Sequence, residues 1–494
     1  MKEVFFTAFS FFYQTNLYEM ERISDYKGYN GLPPLVGLTT MSEAIEVGLT
    51  VDESVARLKR FHWSLKRLAL LFSYRITAMP IYELKMVFGF HSHLCAENVT
   101  NIFDRIREMR EPPFGMDSAP DPYLEMFWDE IECAPSVEAL ILGLYEKGIP
   151  ALKRGFEQYI DDCNKLIEHP TYRICRFALI DLEDIALYGK SAISTLVSKD
   201  KERELKSWLE LLDNCLNNMG DLDGTKSISK TDLNPIFSKE AYEYDRVPCR
   251  DERFKDLYNM GVNAEIFLIE PEFDSSAKLL MLYFKRMREI DVPEMMASII
   301  HDTKDKPWKY YKDLIRQLWD ESRHAMMGEV GFVSLGIDWT KIPFTFAWSL
   351  QLNTKLTPKE RHAVLFYIEQ GLMPAKTGKQ HEWEVAVASE NRLAELIQDY
   401  DWADEILHAR IGRDWIVSEI GGQKETMDYG NNAWDKVYTN WEKWKEDGLT
   451  EHHNWFPSVY REACDFRNIA PDPKILAYNV SYQEKRADNN TINH

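Results

Sequence analysis

Paired cysteines, an excess of basic charge and long apolar runs are all missing from this chain, and each absence removes a class of protein. The seven cysteines (Cys95, Cys133, Cys163, Cys175, Cys215, Cys249 and Cys464) form no Cys-x-x-Cys pair and are odd in number. That argues against a disulfide framework or a thiolate zinc site and for free thiols in a reducing compartment. Lysine and arginine total 59 against 80 aspartates and glutamates, a formal charge of −21. A phosphate backbone or an anionic membrane requires clustered Lys and Arg, so neither nucleic acid nor membrane is expected as the main partner. No stretch approaches the roughly 20 apolar residues of a membrane span. The opening run Met1-Lys2-Glu3-Val4-Phe5-Phe6 is soon broken by Gln14 and Asn16, and it lacks the charged start and small-residue cleavage site of a signal peptide. A soluble, cytoplasmic protein is expected.

Alternating strand patterns are also few, whereas helical periodicity is abundant. Helices are expected over 52–77, 80–110, 136–168, 170–188 and 200–217, then over 276–302, 307–335, 357–395 and 399–418. At 494 residues the chain has room for two or three domains. The divisions expected are an N-terminal extension (1–50), a helical bundle (51–200), a linker (201–270), a second bundle (271–425) and a C-terminal extension (426–494). Trp434, Trp441, Trp444 and Trp455 are expected to pack that last extension onto the bundle, ahead of a polar tail from Tyr482. The linker holds Asp221-Leu222-Asp223-Gly224, which has the start of a calcium loop. Lys230 falls where the bidentate Glu is needed, and Met219 at the first ligand position, so calcium is rejected.

The chemistry is concentrated in two strings, Asp320-Glu321-Ser322-Arg323-His324 and Asp404-Glu405-Ile406-Leu407-His408, the only Glu-x-x-His matches in the chain. Residues three apart lie about 60° apart around a helix, so each Glu and His share one face. Two such pairs, with one Glu from each of two further helices, make a dinuclear carboxylate site in a bundle core. Glu369, 36 residues before Glu405, is the expected contribution of the third helix. For the first helix, Glu289 lies 18 residues before Pro307, and Glu321 lies 14 after it, so the two sit at one level of an antiparallel pair. Glu294 is the fallback. Pro293 lacks the N–H that would bond the Glu289 carbonyl, so this helix either kinks at the site or restarts with Asp291 as its N-cap.

Four carboxylates and two imidazoles suit two iron ions, or iron with manganese, with coordination positions open for dioxygen. The three-ligand pattern of a hydrolytic zinc site is absent. Asp320 and Asp404, each preceding a ligand Glu, are candidates to accept an imidazole N–H from the opposite helix.

The same landmarks recur faintly upstream. Tyr145-Glu146-Lys147-Gly148-Ile149-Pro150-Ala151 resembles Ile368-Glu369-Gln370-Gly371-Leu372-Met373-Pro374-Ala375 at a shift of 223. Glu183 and Glu97 precede Glu405 and Glu321 by 222 and 224. The histidines do not recur: Thr100 and Ala186 stand at their places, and Leu65 stands opposite Glu289. An all-α protein of two four-helix bundles from one internal duplication is expected, with the metal site kept only in the second. His62, His91 and His93 are expected to pack or face solvent rather than to bind metal.

The segment Arg288-Glu289-Ile290-Asp291-Val292-Pro293-Glu294-Met295-Met296-Ala297, the two Asp-Glu-x-x-His strings and Glu369-Gln370-Gly371-Leu372 resemble a branch of the ferritin-like di-iron carboxylate superfamily. That branch carries His-Glu-Leu-x-Ala-x-Glu-Leu on its first helix and Asp-Glu-x-x-His on the second and fourth. The resemblance covers about 275–420 and, through the repeat, more weakly 50–190. It departs at Arg288, where the family has His, and at the added Pro293. It implies ferritin-like bundles and a di-iron centre on Glu289, Glu321, His324, Glu369, Glu405 and His408.

The activity expected is a di-iron oxygenase or oxidase that uses dioxygen on a small organic substrate held in an apolar or aromatic pocket at the ligands. The alternatives are iron handling or peroxide detoxification, an RNA-hydroxylating enzyme, which the acidic charge disfavours, and a metal-free structural bundle. The scheme leaves room for an electron donor or reductase and for a homodimer.

Overall fold

The computed structural model describes residues 26–110, 112–229, 231–374, 377–437 and 441–482. Most of the N-terminal extension, Lys230, Ala375 and the tail beyond Tyr482 lie outside the described residues. Among the described residues the chain is all-α, with one isolated bridge pairing Val262 with Ser481 and no strand. No described helix is long and apolar enough to cross a membrane. The seven cysteines are unbridged, and five of them are buried.

The chain divides into two compact units. Among the described residues, the first comprises residues 26–68 and 94–242, and the second 69–93 and 243–482. The turn at 75–81 and its flanking helix ends thus belong with the second unit, not with the rest of 51–200. Residues 201–242 belong with the first and are not a free linker.

The principal helices of the first unit are α1 (Val51–Tyr74) and α2 (Tyr82–Glu108), both shared with the second, and α3 (Pro122–Glu132), α4 (Ile149–Asp162), α5 (His169–Leu196) and α6 (Lys206–Asn218). Helix α4 is entered through a π-helical turn, Leu142–Gly148, and packs on α5. The second unit holds α7 (Ser275–Arg288), α8 (Asp291–Asp302), α9 (Trp308–Ser334), α10 (Ala347–Lys355), α11 (Pro358–Gly371), α12 (Lys379–Ala388), α13 (Arg392–Gly412), α14 (Gln423–Val437) and α15 (Phe456–Phe466). Helices α7 and α8 both lie along α9, α9 and α11 both pack on α13, and α14 covers the other side of α11.

Two of the expected helical segments are broken, the first at the proline that sequence had marked. The segment 276–302 splits at Glu289 into α7 and α8 because Pro293 cannot donate to the Glu289 carbonyl, which takes the Val292 N–H at 2.9 Å instead. Asp291 is the first residue of α8 rather than its N-cap, and its carboxylate goes to Arg250 at 2.7 Å and Ser349 at 2.9 Å. The segment 357–395 yields α11, a loop and α12. Gly378 closes that loop at a point where a Cβ would lie 2.1 Å from the Leu372 carbonyl oxygen.

Glycines also set the spacing around the acidic core. A Cβ at Gly328 would meet the Met287 backbone nitrogen at 2.3 Å, and one at Gly331 the Tyr283 ring at 2.2 Å, so α7 lies hard against α9. The aromatic C-terminal segments pack as expected. Trp434 lies 4.2 Å from Trp348, Trp444 lies 5.2 Å from Tyr258, and Trp455 lies 4.8 Å from Phe284, ring centre to ring centre. The Trp441 side chain lies outside the description.

Candidate metal centre

On α9, Leu314, Ile315, Leu318, Ala325 and Phe332 make an apolar stripe, and Gln317, Asp320, Glu321 and His324 are buried along with it. Helix α13 likewise buries Ala394, Ile397, Ala409 and Ile411 together with Asp401, Asp404, Glu405 and His408. Burying this many ionisable groups is costly unless they compensate one another. Here they converge.

Glu289, His324, Asp401 and Glu405 form one group whose candidate ligand atoms all lie within 4.8 Å of one another, and Glu321, Glu369, Glu405 and His408 form a second. All six side chains expected from the sequence are therefore brought together. Two carboxylates face both imidazoles. Glu321 lies 3.6 Å from His324 Nδ1 through Oε2 and 3.2 Å from His408 Nδ1 through Oε1. Glu405 belongs to both groups and presents Oε2 to His408 Nδ1 at 3.5 Å. Glu289 stands beside His324 at 3.4 Å and Glu369 beside His408 at 4.0 Å. The imidazole centres are 5.9 Å apart.

The outer nitrogens are held as the sequence suggested. His324 Nε2 faces Asp404 Oδ2 at 3.3 Å, and His408 Nε2 faces Asp320 Oδ2 at 3.4 Å, each bond crossing between α9 and α13. Asp320 also accepts from Arg316 at 2.9 Å and Asp404 from Arg323 at 2.7 Å. This arrangement leaves both Nδ1 atoms turned inward. His324 Nδ1, His408 Nδ1, Glu289 Oε2, Glu369 Oε2 and Glu405 Oε2 are buried without a hydrogen bond, which suits ligand atoms for divalent ions.

Glu294, the fallback, lies outside both groups. It is fully buried and accepts from Lys85 at 2.7 Å, from Arg250 at 3.0 and 3.1 Å and from Ser349 at 2.9 Å.

Three residues of the centre were missed from sequence. Asp401 lies one helical turn before Glu405 on the same face, a spacing that could have found it. Arg286 is buried on α7, ion-paired with Asp401 and 2.9 Å from Glu289 Oε1. Its signal was a charge three residues before Glu289 inside the apolar run 279–287. Lys379 opens α12 and reaches Asp401 at 3.0 Å and Glu405 Oε1 at 2.9 Å. Nothing in its sequence surroundings marks it.

The electrostatics are those of a cluster saturated with internal partners. Burial opposes charge on Glu289, yet Arg286 and Lys379 overcome it and hold the carboxyl down at about 2. Burial likewise opposes charge on His324, but Asp404, Glu289 and Glu321 raise it to about 10. His408 is raised in the same way by Asp320, Glu321 and Glu405. Glu369 goes the other way: burial and the adjacent Glu405 charge push it well above the carboxylate range.

In the first unit, Glu97 is half-buried on α2, Glu146 sits in the π-helical turn and Glu183 is exposed on α5, 3.4 Å from Lys153. Both ligand-type groups found among the described residues are made of second-unit residues. His62 packs on Phe103, and His91 packs on Phe72 and Phe90.

Two cavities are described in the second unit. One is walled by Met260, Trp348, Trp434 and Trp444, and the other by Arg246, Asp302, Asn353 and Arg361. Neither is lined by the carboxylate cluster, where the substrate pocket was expected.

A scan against protein-family models finds no match, and searches of curated proteins and of solved structures likewise find none.

Proposed function

We propose that the second unit is a ferritin-like four-helix di-iron (or iron–manganese) centre and that the protein is an oxidoreductase acting with dioxygen on a small organic substrate. One observation carries this reading: two inward-facing imidazole Nδ1 atoms share the carboxylates of Glu321 and Glu405, with one further Glu beside each. Hard oxygen donors with one nitrogen per ion fit iron and manganese. When bound, the metals would supply the redox capacity for dioxygen chemistry.

The rest falls to the chain itself. Asp320 and Asp404 fix the imidazole orientation, α7, α9, α11 and α13 exclude water, and the proton that burial places on Glu369 sits beside Glu405. Glu289 would hold the ion beside His324 and Glu369 the ion beside His408. The first unit reads as a degenerate copy: Glu97 and Glu321 are the sixteenth and fourteenth residues of 27-residue helices.

Metal analysis after anaerobic iron loading tests the centre. About two ions per chain are expected, falling sharply in Glu321→Ala and His408→Ala and unchanged in Glu97→Ala. Stoichiometric, substrate-dependent oxygen uptake separates oxidation from iron storage, which would show many ions taken up per chain. A second reading, a metal-free ion-pair core, is favoured by Arg286 and Lys379 standing among the acids. A folded protein that takes up no iron, manganese or cobalt would establish it.

A further inference from the structure

The two halves of the cluster differ in one respect that the motif symmetry conceals. Around His408, Glu321 and Glu369 have no lysine or arginine within 4 Å among the described residues, and Glu369 accepts from the Gln317 amide at 3.0 Å. Around His324, the acids are already engaged by protein cations. Asp401 accepts from Lys379 with both oxygens at 3.0 Å and is ion-paired with Arg286. Glu289 Oε1 lies 2.9 Å from Arg286 and 3.7 Å from Lys379. Glu405 is divided between the halves, with Oε1 toward Lys379 at 2.9 Å and Oε2 toward His408.

Charge limits what the cluster can hold. Once ligation has taken the proton from Glu369 and from both imidazoles, five carboxylates (Glu289, Glu321, Glu369, Asp401 and Glu405) stand against Arg286 and Lys379, leaving three negative charges. The acids just outside are matched separately: Asp320 and Asp404 by Arg316 and Arg323, and Glu382 by Lys285. One divalent ion therefore leaves one negative charge in the buried core, and a second turns it positive unless a protein cation leaves. A buried uncompensated charge is strongly disfavoured.

Both cations are buried, but they are not equally able to leave. Arg286 lies within α7 and is tied also to Glu382. Lys379 is the first residue of α12, where the loop from α11 ends, and its ammonium is a compact charge on a flexible stem. The inward atoms His324 Nδ1 and Glu289 Oε2 of this half make no hydrogen bond, so a ligand position stands beside the cations.

We propose that the centre is unequal by construction: Glu321, Glu369, Glu405 and His408 take the first divalent ion, and Glu289, His324, Asp401 and Glu405 take a second only as the Lys379 ammonium withdraws from Asp401 and Glu405. Lys379 is a positioning residue that occupies the second half in the singly loaded protein, and Asp401 is the ligand it surrenders. This inference rests on the metal-centre reading above and adds to it an order of loading and the residue that sets it.

The test is an anaerobic titration of the chelator-stripped full-length protein with Co²⁺, followed by calorimetry and by visible absorption of the bound ion. The wild type should bind one ion tightly and a second at least about 30-fold more weakly, since a unit charge a few ångströms away acts on it. Lys379→Met keeps the stem and removes the charge, and should bring the second affinity to within about threefold of the first. Lys379→Arg should keep the disparity. Asp401→Asn, which retains shape, should weaken the second ion and spare the first. Two equal sites in the wild type would overturn the proposal while leaving the di-metal reading intact. So would an unchanged second affinity in a Lys379→Met protein with wild-type helicity, or equal loss of both ions in folded Asp401→Asn. No cobalt bound by the folded wild type at millimolar concentration would instead overturn the metal-centre reading and this proposal with it.

Discussion

Glu289 and Glu294 stand five positions apart, one half-buried and one fully buried, and meet different partners. The neighbours of Glu294 are Lys85 and Arg250, each fully buried. Removing its carboxylate strands the Lys85 ammonium and leaves Arg250 with Asp291 as its one carboxylate, so Glu294→Ala should cost about 3–5 kcal/mol in urea unfolding; the refolded fraction should still bind metal. Glu289 has Arg286 as its closest cation, and Arg286 keeps Asp401 and Glu382 when Glu289 is gone. Glu289→Ala should therefore remain folded and lose metal, and the opposite pattern would exchange the two assignments. The outer aspartates admit a gentler test. Asp404→Asn keeps the volume beside His324 Nε2 and weakens the acceptor, so metal affinity should fall by about 10- to 100-fold with little change in helicity.

Pro293 and the glycines of α9 place Glu289 where two straight helices would not. With α7 and α8 joined, Glu289 would sit inside a regular helix. With Pro293 present it closes α7 at φ −64°, ψ −2°. Pro293→Ala restores the missing donor, so the helices should tend to fuse, with a small change in stability and a clear loss of metal affinity measured by the same titration. Gly328→Ala acts from the opposite side. Its Cβ would meet the Met287 backbone, which can yield only if α7 moves, and overpacking of this kind costs about 1–3 kcal/mol. Thermal unfolding measures that cost, and a drop in metal content would show that α7 has moved with it. A stable Gly328→Ala protein with full metal content would mean that the close approach is dispensable.

Across the whole chain, acid should destabilise the fold through histidines kept neutral by burial. Burial lowers His62 and His362 to about 4 and His91 to about 3, against 6.5 for an unperturbed imidazole. Between the folded and unfolded values the unfolded chain binds more protons, so stability falls as pH drops below 6.5 and levels off only below the folded values. Each group contributes at most about 1.4 kcal/mol per pH unit in that window. Urea midpoints should therefore fall from pH 7 to pH 4.5, and replacing His62 with Gln should flatten the decline. An unchanged slope would mean that His62 is already protonated in the folded state.

The division of information between chain and fold follows from what each interaction depends on. Helical content, the pairing of Glu321 with His324 and Glu405 with His408, and the level of Glu289 and Glu369 were legible because they depend on the fixed pitch of an α-helix and on counting from turns. The crossing of Asp320 and Asp404 onto opposite histidines was legible for the same reason. The break at Pro293 was foreseen as one of two outcomes, since a missing N–H says that the helix cannot continue unchanged but not which carboxylate then turns inward. Asp401 was within reach of the same arithmetic, one turn before Glu405. Lys379 and Arg286 were not: a lysine at the start of a helix and an arginine within an apolar run carry no local mark of where their charges end. Their place among the acids depends on the closed loop at Gly378 and on how near α7 lies to α9 and α13. Sequence periodicity could therefore name the acids and imidazoles, whereas packing over long separations decided which protein cations stand among them, because a buried charge is positioned by every helix that surrounds it.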